Sequence, residues 1–476
     1  LDRVVARRAV GDEEAGGPVR AGRARSARGQ ALVALGIVLV VIVALVWLDR
    51  IGPKSPEPLP VGRTPSGAWL CPHGGASGTS VSLYLGNPGT STVQARVTRL
   101  GTEAPGPAES VEVPAGSTVR VDSAAEDRGA STYVEFFGGW LGAGWVASTE
   151  DGIAAEPCAE DAARHWYLPD GSTQLGEESF VVIANPFDAP AVLDAVVYTA
   201  DQAPVRALEW TDLVVPARRS TALHLNTKRE GEPEVAVTLE VTVGRVAAAS
   251  LEVSDGTKLR SSLGWTDLAT GGLFPVMQGS GQTELVVLST AEQATRFGVT
   301  ELSTEPPRPA GGLTAQEHGP AAARAYAIPV GEGPTAMQLF TLDDARVASA
   351  LRARGPGDDP GSTSGAVDPA DAWLLLPAVS GSDVTPGAVL VNDGDADVVA
   401  TVTLLTGSGG TPATVEIPAH SVAAVPSGVW SSAPDAAMVI RADGGSIVAL
   451  AASVSRVSGG GDGFALSMGV PLPQAT

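Results

Sequence analysis

The sequence predicts an all-β ectodomain of tandem β-sandwich units of the immunoglobulin-like type, following a single N-terminal transmembrane helix. Three observations predict this class: one uncharged apolar run near the N-terminus, many turn-forming residues, and an internal repeat. The chain of 476 residues holds 57 glycines and 36 prolines but only 5% aromatic residues. That composition is typical of short strands joined by many turns rather than of long helices.

Residues 31–48, ALVALGIVLVVIVALVWL, contain neither a charged residue nor a proline. A helix of this length spans about 27 Å, close to the ~30 Å hydrocarbon core of a bilayer. Residues 1–30 carry seven arginines against four acidic residues, which predicts a disordered cytoplasmic tail and an extracytoplasmic body. A cleaved secretion signal is the alternative, although its apolar core is usually shorter. We therefore expect a single-pass protein of the cell membrane that contacts the lipid bilayer through 31–48.

Residues 49–66 contain five prolines, which predicts an extended stalk between the membrane and the body. The formal net charge of the whole chain is −22, although its N-terminal tail is basic. An acidic body repels phosphate backbones, so we expect no binding of nucleic acid.

An internal repeat divides the body into four β units, predicted at 67–160, 161–262, 263–355 and 371–476, with a linker at 356–370. Each unit opens with an apolar segment that ends in proline, at Pro72, Pro169, Pro275 and Pro377. An alternating strand that ends in a turn follows, as in VSLYLGNPG and SFVVIANPF. About seven strands of period two in ~100 residues favour a two-layer antiparallel sandwich. The segments 151–164, 261–272 and 355–365 read as joints between units.

A β-propeller is the alternative fold, because propellers also repeat strands at a fixed period. The C-terminal segment Val470–Pro473 supports it, since this segment resembles a fifth copy of the opening landmark. A strand donated across unit boundaries would explain such a copy.

These landmarks give the chain a resemblance to an uncharacterised actinobacterial family of exported, membrane-anchored β-rich proteins. The resemblance extends over roughly residues 66–476 and is carried by HWYLPDGST, FVVIANPFDAPAVLDAVVY and the Pro-Ala hairpins. It implies a location in the cell envelope of a high-GC, Gram-positive-type bacterium. It implies no activity and no catalytic residues.

Cys71 and Cys158 are the two cysteines of the chain. An even pair outside the membrane predicts a disulfide. A metal site built from both cysteines and His73 is the alternative, but it lacks a fourth ligand at suitable spacing. We predict no metal site and no cofactor.

The sequence predicts no enzyme, because no catalytic residue is identified and no hydrolase elbow, phosphate loop or zinc-protease pattern occurs. The leading hypothesis is a non-catalytic binding or scaffolding role in the cell envelope, with envelope proteins or glycans as partners. One alternative is a glycan- or peptidoglycan-binding module that uses Trp140 and Trp145 as its surface. Another is an enzyme whose site is assembled between units from scattered carboxylates.

Overall fold

The computed structural model describes residues 66–277, 283–330, 333–355, 358–378, 384–408, 412–456 and 462–473. The predicted tail at 1–30, the apolar run at 31–48 and the stalk up to residue 65 lie outside the described residues. Within the described ranges, no helix is long and apolar enough to cross a membrane. The body from Thr64 to Thr476 forms one compact unit.

The body consists of four consecutive units, each built from two antiparallel sheets. In unit 1 the first sheet has the order β1-β6-β3-β4 and the second has the order β5-β2-β7-β8. Its strands are β1 (Ser66–Cys71), β2 (Ser80–Asn87), β3 (Val93–Leu100), β4 (Glu109–Val113), β5 (Ser117–Ala124), β6 (Ser131–Phe137), β7 (Gly142–Ser148) and β8 (Ile153–Pro157).

Unit 2 repeats this arrangement, with sheets β9-β15-β11-β12 and β14-β10-β16-β17, and with β13 also paired to β11. Its strands are β9 (His165–Leu168), β10 (Glu177–Asn185), β11 (Ala191–Thr199), β12 (Val205–Arg206), β13 (Leu213–Val215), β14 (Arg219–His224), β15 (Val235–Val243), β16 (Ala247–Ser254) and β17 (Lys258–Leu263). Two 3-10 turns, Leu208–Trp210 and Leu225–Thr227, lie between these strands.

Unit 3 has the sheets β18-β24-β20-β21 and β23-β19-β25-β26, and β22 also pairs with β20. Its strands are β18 (Gly271–Val276), β19 (Thr283–Ser289), β20 (Thr295–Leu302), β21 (Arg308–Pro309), β22 (Gln316–His318), β23 (Ala322–Ile328), β24 (Thr335–Thr341), β25 (Ala348–Arg354) and β26 (Pro360–Thr363).

Unit 4 has the sheets β30-β29-β32-β27-β35 and β31-β28-β33-β34. Its strands are β27 (Ala372–Leu375), β28 (Val384–Asn392), β29 (Val398–Leu404), β30 (Ala413–Ile417), β31 (Ser421–Ala424), β32 (Met438–Asp443), β33 (Val448–Arg456), β34 (Asp462–Met468) and β35 (Val470–Pro471). A short helix, α1 (Ser427–Ser431), follows β31.

The all-β prediction and the two-layer sandwich units are confirmed, but the pairing within a unit is not that of an immunoglobulin domain. In immunoglobulin constant domains the first, second, fifth and fourth strands share one sheet, and the third, sixth and seventh share the other. Here the first strand pairs with the sixth, and the seventh pairs with the second. The fourth strand also pairs with the third, so the first, fourth and seventh strands lie in the opposite sheet relative to that fold.

The second sheet of each unit ends in a final strand, and in units 1 to 3 this strand lies in or beside a segment that was interpreted as a joint. These final strands are β8, β17, β26 and β34, and the first three fall in 151–164, 261–272 and 355–365 or at their edges. The predicted linker at 356–370 therefore contains β26, whose four residues are all buried and which pairs with β25. Strands buried on both faces lack the polar alternation that marks half-exposed strands.

The four final strands contact one another in a closed cycle: β8 with β17, β17 with β26, β26 with β34, and β34 with β8. The units therefore form a ring with these inner strands at its centre. The propeller alternative anticipated a closed arrangement, but here each repeating element is a two-sheet sandwich.

The first sheet of each unit also lies against the second sheet of the next, and unit 4 closes on unit 1. Hydrogen bonds or close strand contacts mark each of these seams: Ser220 N to Gly101 O, β11 with β23, Ser421 Oγ to Ser303 O, and Ala437 N to Thr118 Oγ1. The buried core runs without a break from unit 1 into unit 4.

The C-terminal segment is not a strand donated across unit boundaries. β35 pairs with β27 of its own unit, through Leu374 and Val470. Equivalent bridges occur in the other units, where Leu70 pairs with Ala159, Tyr167 with Trp265, and Leu273 with Ala366. Val470 is thus the counterpart of Ala159, Trp265 and Ala366, and the apparent fifth landmark reflects this return to the first strand.

In three of the units the second strand ends in a buried asparagine, whose hydrogen bonds connect two hairpins. In unit 2 the amide Nδ2 of Asn185 donates to the carbonyls of Ala189, Val215 and Pro216, and its Oδ1 accepts from Phe187 N. Asn87 and Asn392 make the same set of bonds. Unit 3 has Ser289 instead, which accepts one bond from Ala291 N.

We expect Asn185→Ala to lower the free energy of unfolding by about 2–4 kcal/mol, because it removes several buried hydrogen bonds worth ~1 kcal/mol each. Guanidinium denaturation followed by tryptophan fluorescence measures this change. The matched control is Asp188→Ala in the same turn, where the side chain is 91% exposed. Equal losses from the two substitutions would contradict the role assigned to the asparagine.

The seam between units 3 and 4 requires glycine at two positions. A Cβ added to Gly361 would lie 2.7 Å from the ring of Phe464 on β34, and one on Gly355 would lie 2.4 Å from the same side chain. Because these contacts are closer than real Cβ atoms show, Phe464 occupies the space that side chains would need.

We therefore expect Gly361→Val to destabilise the body by about 1–3 kcal/mol through overpacking at the ring centre. Gly106→Val is the control, because no atom lies within 4 Å of a Cβ at that position. Thermal unfolding of the two variants beside the wild type measures the difference. A Gly361→Val protein as stable as the control would show that β26 and β34 do not pack as described.

Candidate functional site

Cys71 and Cys158 form a disulfide, as the sequence predicts. Cys71 ends β1 of the first sheet, and Cys158 follows β8 of the second sheet, so the bond joins the two layers of unit 1. The sulfur atoms are thus bonded to each other. His73 is buried beside them, where its Nδ1 donates to Gly74 O and its Nε2 accepts from the Thr132 hydroxyl. Burial lowers the pKa of His73 to about 4, so the ring is neutral.

Trp140 and Trp145 do not form a shared surface. Trp145 lies on β7, is 2% exposed, and contacts His73 edge to face at 5.9 Å between ring centroids. Trp140 is half-buried and packs edge to face on Trp69 at 6.1 Å. Trp145 is therefore a core residue, and the predicted binding surface does not hold for it.

The inner strands instead bring together five buried charged residues, here called the central charge cluster: Glu156, Asp170, Glu252, Arg260 and Arg352. They come from units 1, 2 and 3, and none is more than 8% exposed. Glu156 lies on β8, Arg260 on β17, Glu252 on β16 and Arg352 on β25, while Asp170 follows β9. A buried side chain keeps its charge only if an opposite charge compensates for the cost of desolvation, and otherwise it becomes neutral.

Two arginines hold the cluster together across the seam between units 2 and 3. Arg352 Nε donates to Asp170 Oδ1, and its Nη2 donates to Gly171 O at 2.7 Å. Arg260 Nε lies 3.2 Å from Asp170 Oδ2, and Arg260 Nη2 donates to Glu252. Asp170 therefore receives one arginine from each of two units.

Their surroundings shift the pKa values of the Asp170 and Glu156 carboxyl groups in opposite directions. Burial alone would raise the pKa of the Asp170 carboxyl, but Arg260 and Arg352 together hold it below its usual range. Burial raises the pKa of Glu156 well above its usual range, and the charge of Asp170 raises it further. The surroundings thus favour the ionised form of Asp170 and the protonated form of Glu156.

A second feature, the linker pocket, lies where the segments after β8, β17 and β26 meet. It is lined by residues 159–161, 263–269, 364, 365, 367 and 368 together with Trp166, and its volume is about 490 Å³. Four carboxylates line it, from Glu160, Asp161, Asp267 and Asp368, and no basic side chain does. Burial and the charge of Asp161 raise the pKa of Glu160. Such a pocket suits a positively charged ligand.

Trp265, which lines this pocket, also completes the core of unit 3. In units 1, 2 and 4 a tryptophan on the first strand donates from Nε1 to a backbone carbonyl, as Trp166 does to Val246 O. Unit 3 has Gly272 at this position, and a Cβ there would lie 3.0 Å from the Phe274 ring and 3.4 Å from the Trp265 ring. Phe274 of the same strand and Trp265 of the interunit segment therefore both pack where the other repeats have their tryptophan.

The charge cluster was not predicted from the sequence, because its residues are scattered over about 200 positions in five separate segments. A signal was nevertheless present in the strands AAASLEVS and ASALRAR, where Glu252 and Arg352 interrupt buried runs of small residues. Charged residues within strands that lack exposed positions must meet partners from elsewhere in the fold. Asp170 lies in HWYLPDGST, one of the quoted motifs, but its partners are distant in sequence.

In a comparison with protein families, the model of a family of unknown function, DUF5719, matches residues 138–300. This range includes β7 and β8, the whole of unit 2 and the start of unit 3. It therefore contains Glu156, Asp170, Glu252 and Arg260 but not Arg352. Among curated proteins, none is significantly similar in sequence to this chain. The match agrees with the expectation of an uncharacterised β-rich domain.

We expect Arg352→Leu to lower the free energy of unfolding by about 3–5 kcal/mol, because it leaves buried carboxylates without their counterion. Arg354→Leu on the same strand is the control, since its side chain is 41% exposed and pairs only with an exposed carboxylate. Chemical denaturation measures both variants. If they lose equal stability, the arginine at 352 does not join units 2 and 3 electrostatically.

Proposed function

We propose that this chain is a membrane-anchored extracytoplasmic protein with a non-catalytic binding role in the cell envelope. The observation that carries this proposal is the linker pocket, whose walls come from three consecutive interunit segments of a closed ring. Ligand pockets commonly have volumes of roughly 300–1,000 Å³ and form where structural units meet. A ring held at its centre presents such a pocket in a fixed shape, which favours binding.

The proposed ligand is an amine- or guanidinium-bearing group on an envelope protein or polymer. Glu160, Asp161, Asp267 and Asp368 supply negative charge, while Trp166, Leu263 and Trp265 supply apolar wall. A cation attached to a short apolar chain matches both features. It would also relieve the repulsion between the neighbouring carboxylates of Glu160 and Asp161.

The extracytoplasmic location rests on sequence and on the disulfide. Disulfides such as Cys71–Cys158 persist in oxidising compartments, and residues 31–48 would supply the anchor. An origin in an actinobacterial envelope belongs to the same proposal and rests on the resemblance of the repeat motifs.

The two alternatives find less support. Glycan recognition through Trp140 and Trp145 requires exposed rings, yet Trp145 lies in the core. For an enzyme with an interunit site, the best candidates for the general acid and base are Glu156 and Asp170, whose pKa values are shifted in opposite directions. Both carboxyl groups are at least 96% buried, so a substrate cannot reach them in this conformation.

We expect butylguanidinium to bind the wild-type body in a saturable manner at low salt, and we expect its neutral isostere butylurea not to bind. Isothermal titration calorimetry measures both. Replacing two pocket carboxylates, in Asp267→Asn with Asp368→Asn, should weaken butylguanidinium binding about tenfold or more, which corresponds to ~1.4 kcal/mol.

The matched control replaces two exposed carboxylates outside the pocket, in Asp188→Asn with Asp255→Asn, and should leave the affinity unchanged. The proposal fails if the wild type binds neither probe, or if the pocket and control variants lose affinity equally. Equal loss would indicate a general attraction of cations to an acidic protein.

A further inference from the structure

Glu156 is the member of the central charge cluster that has no charged partner. It lies on β8 and is 1% exposed. Its Oε1 accepts a long hydrogen bond of 3.4 Å from Leu263 N, at the end of β17 in unit 2. Its Oε2 has no hydrogen-bond partner among the described residues. An ionised carboxylate in this position would be poorly solvated, whereas a protonated one is tolerated.

The strands packed against β8 supply no cation for it. β8 contacts β7, β17 and β34, and β7 carries no titratable side chain. On β17, Lys258 Nζ lies 3.3 Å from Asp359 Oδ1 of unit 3, and Arg260 bonds to Glu252. β34 contributes Asp462, a further acidic residue. The charges that face Glu156 are thus either paired elsewhere or negative.

The charges of the cluster balance only while Glu156 keeps its proton. Burial raises the pKa of Glu252 while the charge of Arg260 opposes that rise, and with Asp170 and Glu252 both ionised their charges cancel those of Arg260 and Arg352. Ionised Glu156 would add a third negative charge that interacts with that of Asp170, and both carboxyl groups are buried. Like charges at such a site repel strongly because the local dielectric is low.

We propose that Glu156 is a proton-operated latch on the seam between units 1 and 2. While it is protonated, β8 and β17 remain packed. When its proton passes to solvent, the uncompensated charge drives this seam open. Since burial raises the pKa of Glu156, the native seam binds the proton more tightly than the open one. The packing is therefore strongest on the acid side and weakens as the pH rises from the ordinary glutamate value of ~4.3 towards the raised one.

Glu156 is connected to the linker pocket through two residues that line the pocket. Leu263, whose amide bonds to Glu156, lines that pocket, and so does Ala159, three residues after Glu156. Opening of the seam would move two of the three pocket walls, so that ambient pH would set the affinity. This coupling rests on the proposed binding function, but the latch itself does not.

Hydrogen–deuterium exchange of the full body between pH 4 and 9, corrected for the intrinsic exchange rate, tests the latch without any ligand. In the wild type, we expect opening of 153–157 and 258–263 to increase at least tenfold over this range. Glu156→Gln, which keeps the shape but cannot ionise, should remove the increase. Glu103→Gln, at an exposed position in the same unit, should keep the wild-type slope.

Glu156→Leu is a second variant without a titratable group, and it should give the same flat profile as Glu156→Gln. The latch is excluded if the wild-type profile is flat in both segments, or if either Glu156 variant keeps the wild-type slope. Because no ligand is present, failure of butylguanidinium to bind would overturn the pocket proposal and leave this result intact.

Discussion

The mutual packing of the four inner strands is the constraint on which the rest of the structure depends. β8, β17, β26 and β34 each lie at an edge of their own sheet, where unpaired strand edges would otherwise invite association. Their closed cycle buries these edges and joins the units at the same time. Closure requires small residues at the closest approaches, which explains why glycine stands at positions 355 and 361 opposite Phe464.

The same closure explains why a set of charged residues is buried at the ring centre. Asp170 binds one arginine from its own unit and one from the next, so its pairing is complete only when units 2 and 3 are correctly docked. Ionic groups of this kind contribute little net stability relative to apolar packing, but an unpaired member is strongly destabilising. We infer that the cluster selects one arrangement of the units, and that Glu156 makes this arrangement depend on pH.

The third repeat shows how an interunit segment can replace a lost element. Its first strand has glycine where the other units have a buried tryptophan, and its second strand ends in Ser289 where they have a bonded asparagine. Trp265, from the segment before unit 3, occupies part of the vacated space. Units 2 and 3 therefore share the Trp265 side chain as well as a seam, and this side chain lines the linker pocket.

The sequence by itself determined the β class, the sandwich layers and the disulfide. Each of these follows from local patterns: period-two alternation, turn residues at fixed offsets, a repeat of about 100 residues and an even cysteine pair. Even here a local explanation was incomplete, since Asn185 was read as a turn residue and proved to bond with carbonyls 30 and 31 positions away.

Only the tertiary structure decided how the units close and which charged residues meet. β17 and β26 overlap segments that were interpreted as joints, because strands buried on both faces carry no alternation and because β26 consists of Pro, Gly, Ser and Thr. Trp145 read as a surface candidate because a lone sequence does not show which face of a strand is covered. Glu156, Asp170 and Arg352 could not be associated in advance, because their proximity arises from ring closure, and no short-range pattern encodes that closure.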